Sequence, residues 1–277
     1  MFRWLEVCGV RPAVMGVVNV TPDSFSDGGR YLDAGAAVAH GLELVAAGAD
    51  LLDVGGESTR PGAEPVPEAE ERRRVLPVVE GLAAAGVPVS IDTTKAAVAA
   101  AAIEAGATVV NDVSAGRREP EILAVAADAG AGYVVMHMLG EPRTMQRDPR
   151  YDDVVADVRD FLLERLEVAR AAGIGPGALA ADPGIGFGKT VAHNLSLLAA
   201  LPELASHTGV PVVVGTSRKS FLSRLLGGDN SLDARDDATL ATVVWAVDHG
   251  ARVVRVHNAG AAVRAIRLLD VMQGCAA

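Results

Sequence analysis

Residues 46–54 read AAGADLLDV, residues 104–112 read EAGATVVND and residues 248–256 read DHGARVVRV. In each stretch a segment with helical periodicity ends at a glycine, and an apolar run follows at once. Glycine after a helix end adopts the left-handed backbone conformation at little steric cost. The apolar runs lack strict alternation, as expected of parallel strands that are buried on both faces. The motif therefore predicts a helix that ends and a buried strand that begins.

The same motif recurs along the whole chain. The glycines in this position are Gly48, Gly86, Gly106, Gly130, Gly173, Gly209 and Gly250. An opening strand over Ala13–Val20 makes eight strands, and helices alternate with them up to a last helix over about Ala261–Met272. Eight such units predict an α/β protein with a single (β/α)8 TIM barrel, in which residues 1–277 form one domain. An open doubly wound sheet is the alternative, which the even repetition disfavours.

Composition and charge narrow the class of protein. Half of the 277 residues are hydrophobic, so the chain can bury a large core. The net charge of −10 argues against partners such as nucleic acid or a membrane surface. Cys8 and Cys275 give neither a disulfide framework nor zinc spacing. Because no apolar run reaches the roughly 20 residues of a spanning helix and Met1–Arg11 does not resemble a signal peptide, we expect a cytoplasmic protein.

Polar residues stand where the predicted strands end, which is the end of such a barrel that carries the active site. Asp92, Asn111 and Asp182 can grip a flat heterocycle, since a carboxylate accepts parallel N–H bonds from a guanidine-like edge. Lys219 can donate to a ring nitrogen or a carbonyl. These residues predict a pocket for a nitrogen-rich ring.

A second group at the strand ends is basic. Arg60, Arg255 and His257 form a cationic set that suits phosphate oxygens, to which arginine offers a planar fork. A second interpretation of Arg255, compatible with the first, is an ion pair with Asp92 or Asp182. Gly188-Lys189-Thr190 resembles the end of a phosphate loop, but Pro183 stands where that loop requires glycine.

Two loops after strands are long and polar, Thr21–Leu32 and Ser58–Pro67. Long polar loops at the functional end of a barrel are candidate lids. The segment 68–74 follows the second loop and places acidic residues at helical spacing before basic ones. We expect Glu68, Glu70 and Glu71 to form a solvent-exposed, salt-bridged helix face with Arg72–Arg74.

Several collinear segments between residues 15 and 257 resemble the signatures of dihydropteroate synthases. They are NVTPDSFSDGG at 19–29, GGESTRPGA at 55–63, DTTK at 92–95, NDVS at 111–114, MHMLGEPRTMQ at 136–146, DPGIGFGKT at 182–190 and GTSRKSFL at 215–222. The resemblance implies the same barrel and a step of folate synthesis that sulfonamides inhibit. In that step 6-hydroxymethyl-7,8-dihydropterin diphosphate and p-aminobenzoate give 7,8-dihydropteroate and pyrophosphate.

The resemblance also implies roles for individual residues. The pterin is expected to contact Asp92, Asn111, Met136, Asp182, Lys219 and Arg255, of which Asp92, Asp182, Lys219 and Arg255 are expected to serve catalysis. The diphosphate is expected near Asn19, Thr59, Arg60, Arg255 and His257, with Asn19 toward Mg²⁺ and Asp23 helping to hold both. The aminobenzoate is expected near Phe25, Thr59, Pro61, Phe187, Lys219 and Ser220. A homodimer is expected, for which the segment Arg235–His249 could provide a face.

Two positions depart from the family pattern. Asn258-Ala259 stands where Asp-Val is usual, and Thr94 replaces a bulkier residue. Two alternatives follow for the function. One is a barrel like the methyltetrahydrofolate–corrinoid methyltransferases, which does not need the two loop signatures. The other is a diverged pterin-binding paralogue without catalysis, which would have no use for the diphosphate residues Asn19, Arg255 and His257.

Overall fold

The computed structural model describes residues 1–21, 34–60 and 62–274. Its strands are β1 (Ala13–Asn19), β2 (Leu51–Gly55), β3 (Val89–Asp92), β4 (Val109–Asp112), β5 (Gly132–Met136), β6 (Leu179–Asp182), β7 (Val213–Val214) and β8 (Val253–Val256). They pair in parallel in the order β6-β5-β4-β3-β2-β1-β8-β7. A single bridge between Ala181 and Val212 joins β6 to the segment before β7, and the amide of Ala181 donates to the carbonyl of Pro211 at 3.0 Å. This bridge closes the sheet, so the predicted (β/α)8 barrel is confirmed.

Helices surround the strands in the part of the chain that the structure describes. They are α1 (Trp4–Cys8), α2 (Ala34–Ala46), α3 (Glu68–Ala84), α4 (Ala96–Glu104), α5 (Glu121–Asp128), α6 (Val154–Ala171), α7 (Val191–Ala199), α8 (Leu201–Thr208), α9 (Ser220–Leu225), α10 (Leu232–Asp248) and α11 (Ala259–Met272). A short 3-10 helix, Pro176–Ala178, separates α6 from β6. The main core lies between this outer layer and the strands.

The glycines that predicted the repeat have the backbone conformation that the prediction requires. All seven have positive φ, between 62° at Gly130 and 111° at Gly106. A residue with a Cβ atom would be strained there. The strands that follow are almost entirely buried, β2 to β7 at every position. The glycines thus end the helices where the chain turns back into the barrel.

The N-terminal helix α1 closes the end of the barrel at which the strands begin. Trp4 is completely buried, and its indole nitrogen donates to the carbonyl of Ala178 at 3.0 Å. It packs in one cluster with Met15, Leu51 and Val109 from the interior of the barrel. Five residues are too few to show helical periodicity, so the sequence did not predict this helix. The opposite end, where the strands finish, is therefore the end available for ligand binding.

Helix α3 differs from its prediction at one residue. Glu70 pairs with Arg73 and Arg74 at 2.7 Å each, as expected for an ion-paired face. The prediction is wrong for Glu71, because that side chain is only 1% exposed. It lies on the inward side of the helix, one turn before Val75, and there it meets Lys95. A charge at this position is buried because a cation from the barrel compensates it.

Candidate active site

Three strands carry buried polar side chains at or next to their ends, at one rim of the barrel. Asp92 ends β3, Asn111 is the third residue of β4 and Asp182 ends β6. They are 8%, 6% and 6% exposed, respectively. The parallel register aligns Asp92 with Asn111 across β3 and β4. The barrel therefore brings these predicted site residues to one end.

Arg255 on β8 connects this rim to a residue that the sequence analysis missed. Its Nε donates to Asp53 Oδ2 at 2.6 Å, and its Nη2 donates to Asp92 Oδ2 at 2.8 Å. Asn111 Nδ2 donates to the same oxygen of Asp53 at 3.0 Å. Asp53 is fully buried, and within the described chain its Oδ1 accepts no hydrogen bond. The sequence feature that could have identified Asp53 is an acidic residue inside the apolar run LLDVG.

The electrostatics of the two rim carboxyl groups favour ligands that donate hydrogen bonds. Burial raises the pKa of Asp92 to about 7; the charge of Asp53 adds to this, and Arg255 opposes it. Burial also raises the pKa of Asp182, although Lys219 and the amide of Gly184 act in the opposite direction. Burial has already removed water from both carboxylates. A ligand donor that reaches either of them therefore compensates for the lost hydration.

Lys219 faces Asp182 from the loop after β7. Its ammonium donates to the carbonyl of Ile185 and lies 4.6 Å from the centre of the Phe187 ring. Burial lowers its pKa to about 8, so it is mostly charged at pH 7. Phe187 packs against a buried cluster that includes Met136. This corner therefore offers an apolar wall beside the Lys219 ammonium, and Ser220 follows Lys219 as the exposed first residue of α9.

The loop after β6 turns sharply through glycine. Gly184 has a φ of 67°, and a Cβ atom there would overlap the carbonyl oxygen of His137. Lys189, which is buried, shares a 2.9 Å hydrogen bond with His137 Nδ1 and donates to the carbonyl of Phe187 at 3.1 Å. Lys189 is thus engaged in holding this loop. This agrees with the interpretation that the segment is not a phosphate loop.

His257, on the basic side of the rim, differs in charge from the sequence-based expectation. His257 shares a hydrogen bond of 2.9 Å with Ser217 Oγ. Burial lowers its pKa to about 3, and the charges of Arg255, Arg218 and Arg60 add to the effect. At this pKa His257 is neutral at pH 7, whereas the sequence analysis placed it in a cationic set. Arg218, which was not predicted, takes part in this cationic surrounding.

Asn258 occupies the position at which the family pattern has aspartate. Its Oδ1 accepts from the amide of Ala261 at 3.1 Å and caps α11, and its Nδ2 lies 3.5 Å from Asp236 Oδ2. Asp236 also binds Arg218 through two hydrogen bonds of 2.6 and 2.9 Å. An aspartate at position 258 would set a second carboxylate against Asp236, so asparagine leaves more positive charge near His257.

A cavity of about 370 Å³ lies beside the rim. Glu57 and Thr59 line it from the loop after β2, and Asp92, Thr94 and Lys95 line it from the end of β3. Thr59 is half-buried, whereas Arg60 is exposed. The remaining predicted site residues Asp23, Phe25 and Pro61, with most of the loop Thr21–Leu32, lie outside the described residues. Asn19 ends β1 at the same rim and is half-buried.

A family model described as pterin binding enzyme matches residues 15–257, and the chain belongs to this family. Within it, the chain is 52% identical over 262 residues to the dihydropteroate synthase of Mycobacterium leprae strain TN, with 92% of each chain covered. The dihydropteroate synthase of Xanthomonas albilineans with 4-aminobenzoic acid has a TM-score of 0.89 at 49% identity. The structure of that enzyme with 7,8-dihydropteroate has a TM-score of 0.86 at 47% identity. Each covers 95% of this chain and 94% of its own.

These similarities place the chain among the dihydropteroate synthases, which are transferases with small-molecule substrates, and confirm the resemblance seen in the sequence. No helix in the described ranges is long and apolar enough to cross a membrane.

Proposed function

We propose that the chain condenses 6-hydroxymethyl-7,8-dihydropterin diphosphate with p-aminobenzoate in a Mg²⁺-dependent reaction that yields 7,8-dihydropteroate and pyrophosphate. The observation that carries the proposal is the buried rim, where two carboxyl groups and an amide face two cations. A ring with a guanidine-like edge and acceptor atoms satisfies all of these groups at once. The structure of a 47% identical relative with 7,8-dihydropteroate supports the same substrate class.

The pterin ring is proposed to lie between the rim and the apolar wall. Asp182 and Asp92 accept hydrogen bonds from its amino-imine edge, and Asn111 adds an amide. Lys219 donates to a ring nitrogen or to the carbonyl, and Met136 packs against a face of the ring. The two buried carboxylates favour an electron-poor ring, which is the state that develops when the diphosphate departs.

The reaction then needs no enzyme nucleophile. The bond between the methylene carbon and the diphosphate oxygen breaks, and its electron pair leaves with pyrophosphate. The amine nitrogen of p-aminobenzoate attacks the carbon and loses a proton. Arg255 and Arg60 stabilise the charge on the leaving group, with Thr59 beside them. Neutral His257 contributes a hydrogen bond rather than a charge.

The residues present fit a magnesium ion that is bound together with the substrate. The described ranges contain no group of three or more His, Cys, Asp or Glu side chains that could hold a metal. Mg²⁺ commonly keeps several water ligands and binds through one or two protein oxygens and substrate phosphates. Asn19, with Asp23 from the first loop, is proposed to hold it against the diphosphate. When bound, the ion supplies positive charge to the departing pyrophosphate.

The aminobenzoate is proposed to bind beside the methylene carbon. Thr59, Phe187 and the start of α9 at Lys219 and Ser220 are proposed to surround this position. Phe25 and Pro61, which the resemblance implies here, lie outside the described residues. A sulfonamide resembles the aminobenzoate and is expected to compete with it for this position.

The decisive test measures pyrophosphate and dihydropteroate with purified protein, pterin diphosphate and Mg²⁺, with and without p-aminobenzoate. We expect equal amounts of both products only when the amine is present, and loss of turnover in excess EDTA. Lys219→Ala should lose most pterin affinity. Pterin binding without turnover would instead support the paralogue, and methyl transfer from methyltetrahydrofolate to a corrinoid would support the methyltransferase.

We also propose that residues 1–277 act as one cytoplasmic domain that forms a homodimer. Within Arg235–His249, Val243 is buried in the core and Trp245 is 47% exposed. Leu268 and Met272 on α11 are also exposed. Light scattering should give twice the mass of one chain for the wild type, and Trp245→Glu should give the single-chain mass if α10 forms the interface. The exposed Leu42→Glu on α2 is the control and should remain dimeric.

A further inference from the structure

A buried ion cluster that the proposed chemistry does not use lies behind the rim. Lys95, which follows β3, is 7% exposed. Its ammonium donates to Glu71 Oε2 on α3 and, at 2.6 Å, to Glu57 Oε2 in the loop after β2. One lysine therefore joins a strand end, a helix and a loop.

Both glutamates are anchored further. Glu71 Oε1 accepts a 2.6 Å hydrogen bond from the hydroxyl of Thr93, the residue directly after Asp92. Glu57 Oε2 also accepts the backbone amide of Val66 at 3.0 Å, which ties together the two ends of the loop 58–65. The cluster thus connects the strand end that presents Asp92 with the loop that presents Thr59.

The cluster also borders the cavity of about 370 Å³, which Glu57, Thr59, Asp92 and Lys95 all line. The two carboxylates of the cluster face two positive charges, because Arg118 lies 3.7 Å from Glu57 and adds its charge to that of Lys95. Burying ions is still costly unless their geometry is well defined, so such a cluster holds its partners in one arrangement.

We propose that Glu57 and Lys95 are positioning residues for the loop 58–67. They fix this loop against the end of β3, so that Thr59 stands at the aminobenzoate position while Asp92 remains at the pterin position. The inference rests on the proposed function for its kinetic consequence, but the positional claim stands on the contacts alone. The strands hold Asp92 independently, so loss of the cluster should weaken binding of the amine substrate and spare binding of the pterin ring. Because Thr59 and Arg60 in this loop are also assigned to the diphosphate, the comparison uses a pterin without a diphosphate.

The kinetic test compares Glu57→Ala with Glu57→Gln, which keeps an acceptor oxygen for Val66 and Lys95. We expect Glu57→Ala to raise the KM for p-aminobenzoate about tenfold, with the calorimetric Kd for 6-hydroxymethyl-7,8-dihydropterin, which lacks the diphosphate, within about twofold of the wild type. Glu57→Gln should recover most of the loss. Glu64→Ala is the matched control, because Glu64 lies in the same loop and pairs with Arg143 at the surface. An equal change in the KM for p-aminobenzoate and the Kd for the pterin, or no change in either, overturns the proposal.

A second readout does not depend on activity. Hydrogen–deuterium exchange of the peptide that contains Val66 should accelerate at least tenfold in Glu57→Ala and remain unchanged in Glu64→Ala. If the wild type makes no dihydropteroate, the proposed function fails, yet this exchange result still supports the positional claim. If exchange in Glu57→Ala equals that of the wild type, the claim is overturned whatever the kinetics show.

Discussion

Replacing Asp182 with asparagine removes one negative charge from the rim while keeping the shape of the side chain. The asparagine oxygen can still accept the amide of Gly184, which lies 2.7 Å from Asp182 Oδ1. The charge that receives the pterin edge is lost, and an N–H donor takes the place of one acceptor. A hydrogen bond to a charged group contributes about 1.5–3 kcal/mol net. We therefore expect a loss of about 3 kcal/mol, which corresponds to roughly 150-fold weaker binding.

Isothermal titration of the pterin diphosphate without p-aminobenzoate measures this loss directly. Asp50→Asn serves as the control, since Asp50 is a charged partner of Arg11 at 2.6 Å but lies at the end of the barrel where the strands begin. It should bind within about twofold of the wild type. Binding by Asp182→Asn within threefold of the wild type, in a protein with unchanged melting, would refute the assignment of this carboxylate to the pterin.

Three further predictions concern charge and packing. Burial raises the pKa of Asp92 to about 7 and lowers that of Lys219 to about 8, so the ionised pair is most populated between these values. Calorimetric pterin affinity should fall up to about tenfold per pH unit below 7 and above 8, and Lys219→Arg should abolish the alkaline fall. Trp4→Ala should lower the free energy of unfolding by about 3–5 kcal/mol in urea, and a loss under about 1 would contradict its place in the core. Asn258→Asp should weaken pyrophosphate inhibition several-fold, because it adds a carboxylate beside Asp236; an unchanged inhibition constant would count against this.

Much of the barrel was predictable because local chemistry and global topology agree. A glycine such as Gly106 marks the helix end by its backbone requirement, and the following apolar run VV marks a strand buried on both faces. Rim residues such as Asp182 were predictable for a related reason, since a polar residue that directly follows a buried strand lies at the barrel end.

The parts that were missed depend on partners that are distant in sequence. Asp53 lies inside an apolar strand, and the partners that give this acid a role are Arg255, 202 residues away, and Asn111, 58 residues away. Glu71 has the spacing of a surface residue, and its burial follows from Lys95, 24 residues away. The pKa of His257 is lowered because the ring is buried and several arginines lie around it, which no local pattern reveals.

The single bridge between Ala181 and Val212 has a consequence for the ligand. It makes the junction of β6 and β7 the least paired joint of the barrel, as β7 has only two residues. Asp182 ends the strand on one side of this joint, and Lys219 follows the strand on the other. A pterin bound to both residues would connect the two sides of this joint. Substrate binding should therefore tighten the barrel as a whole, with slower opening of the amides of β6 and β7.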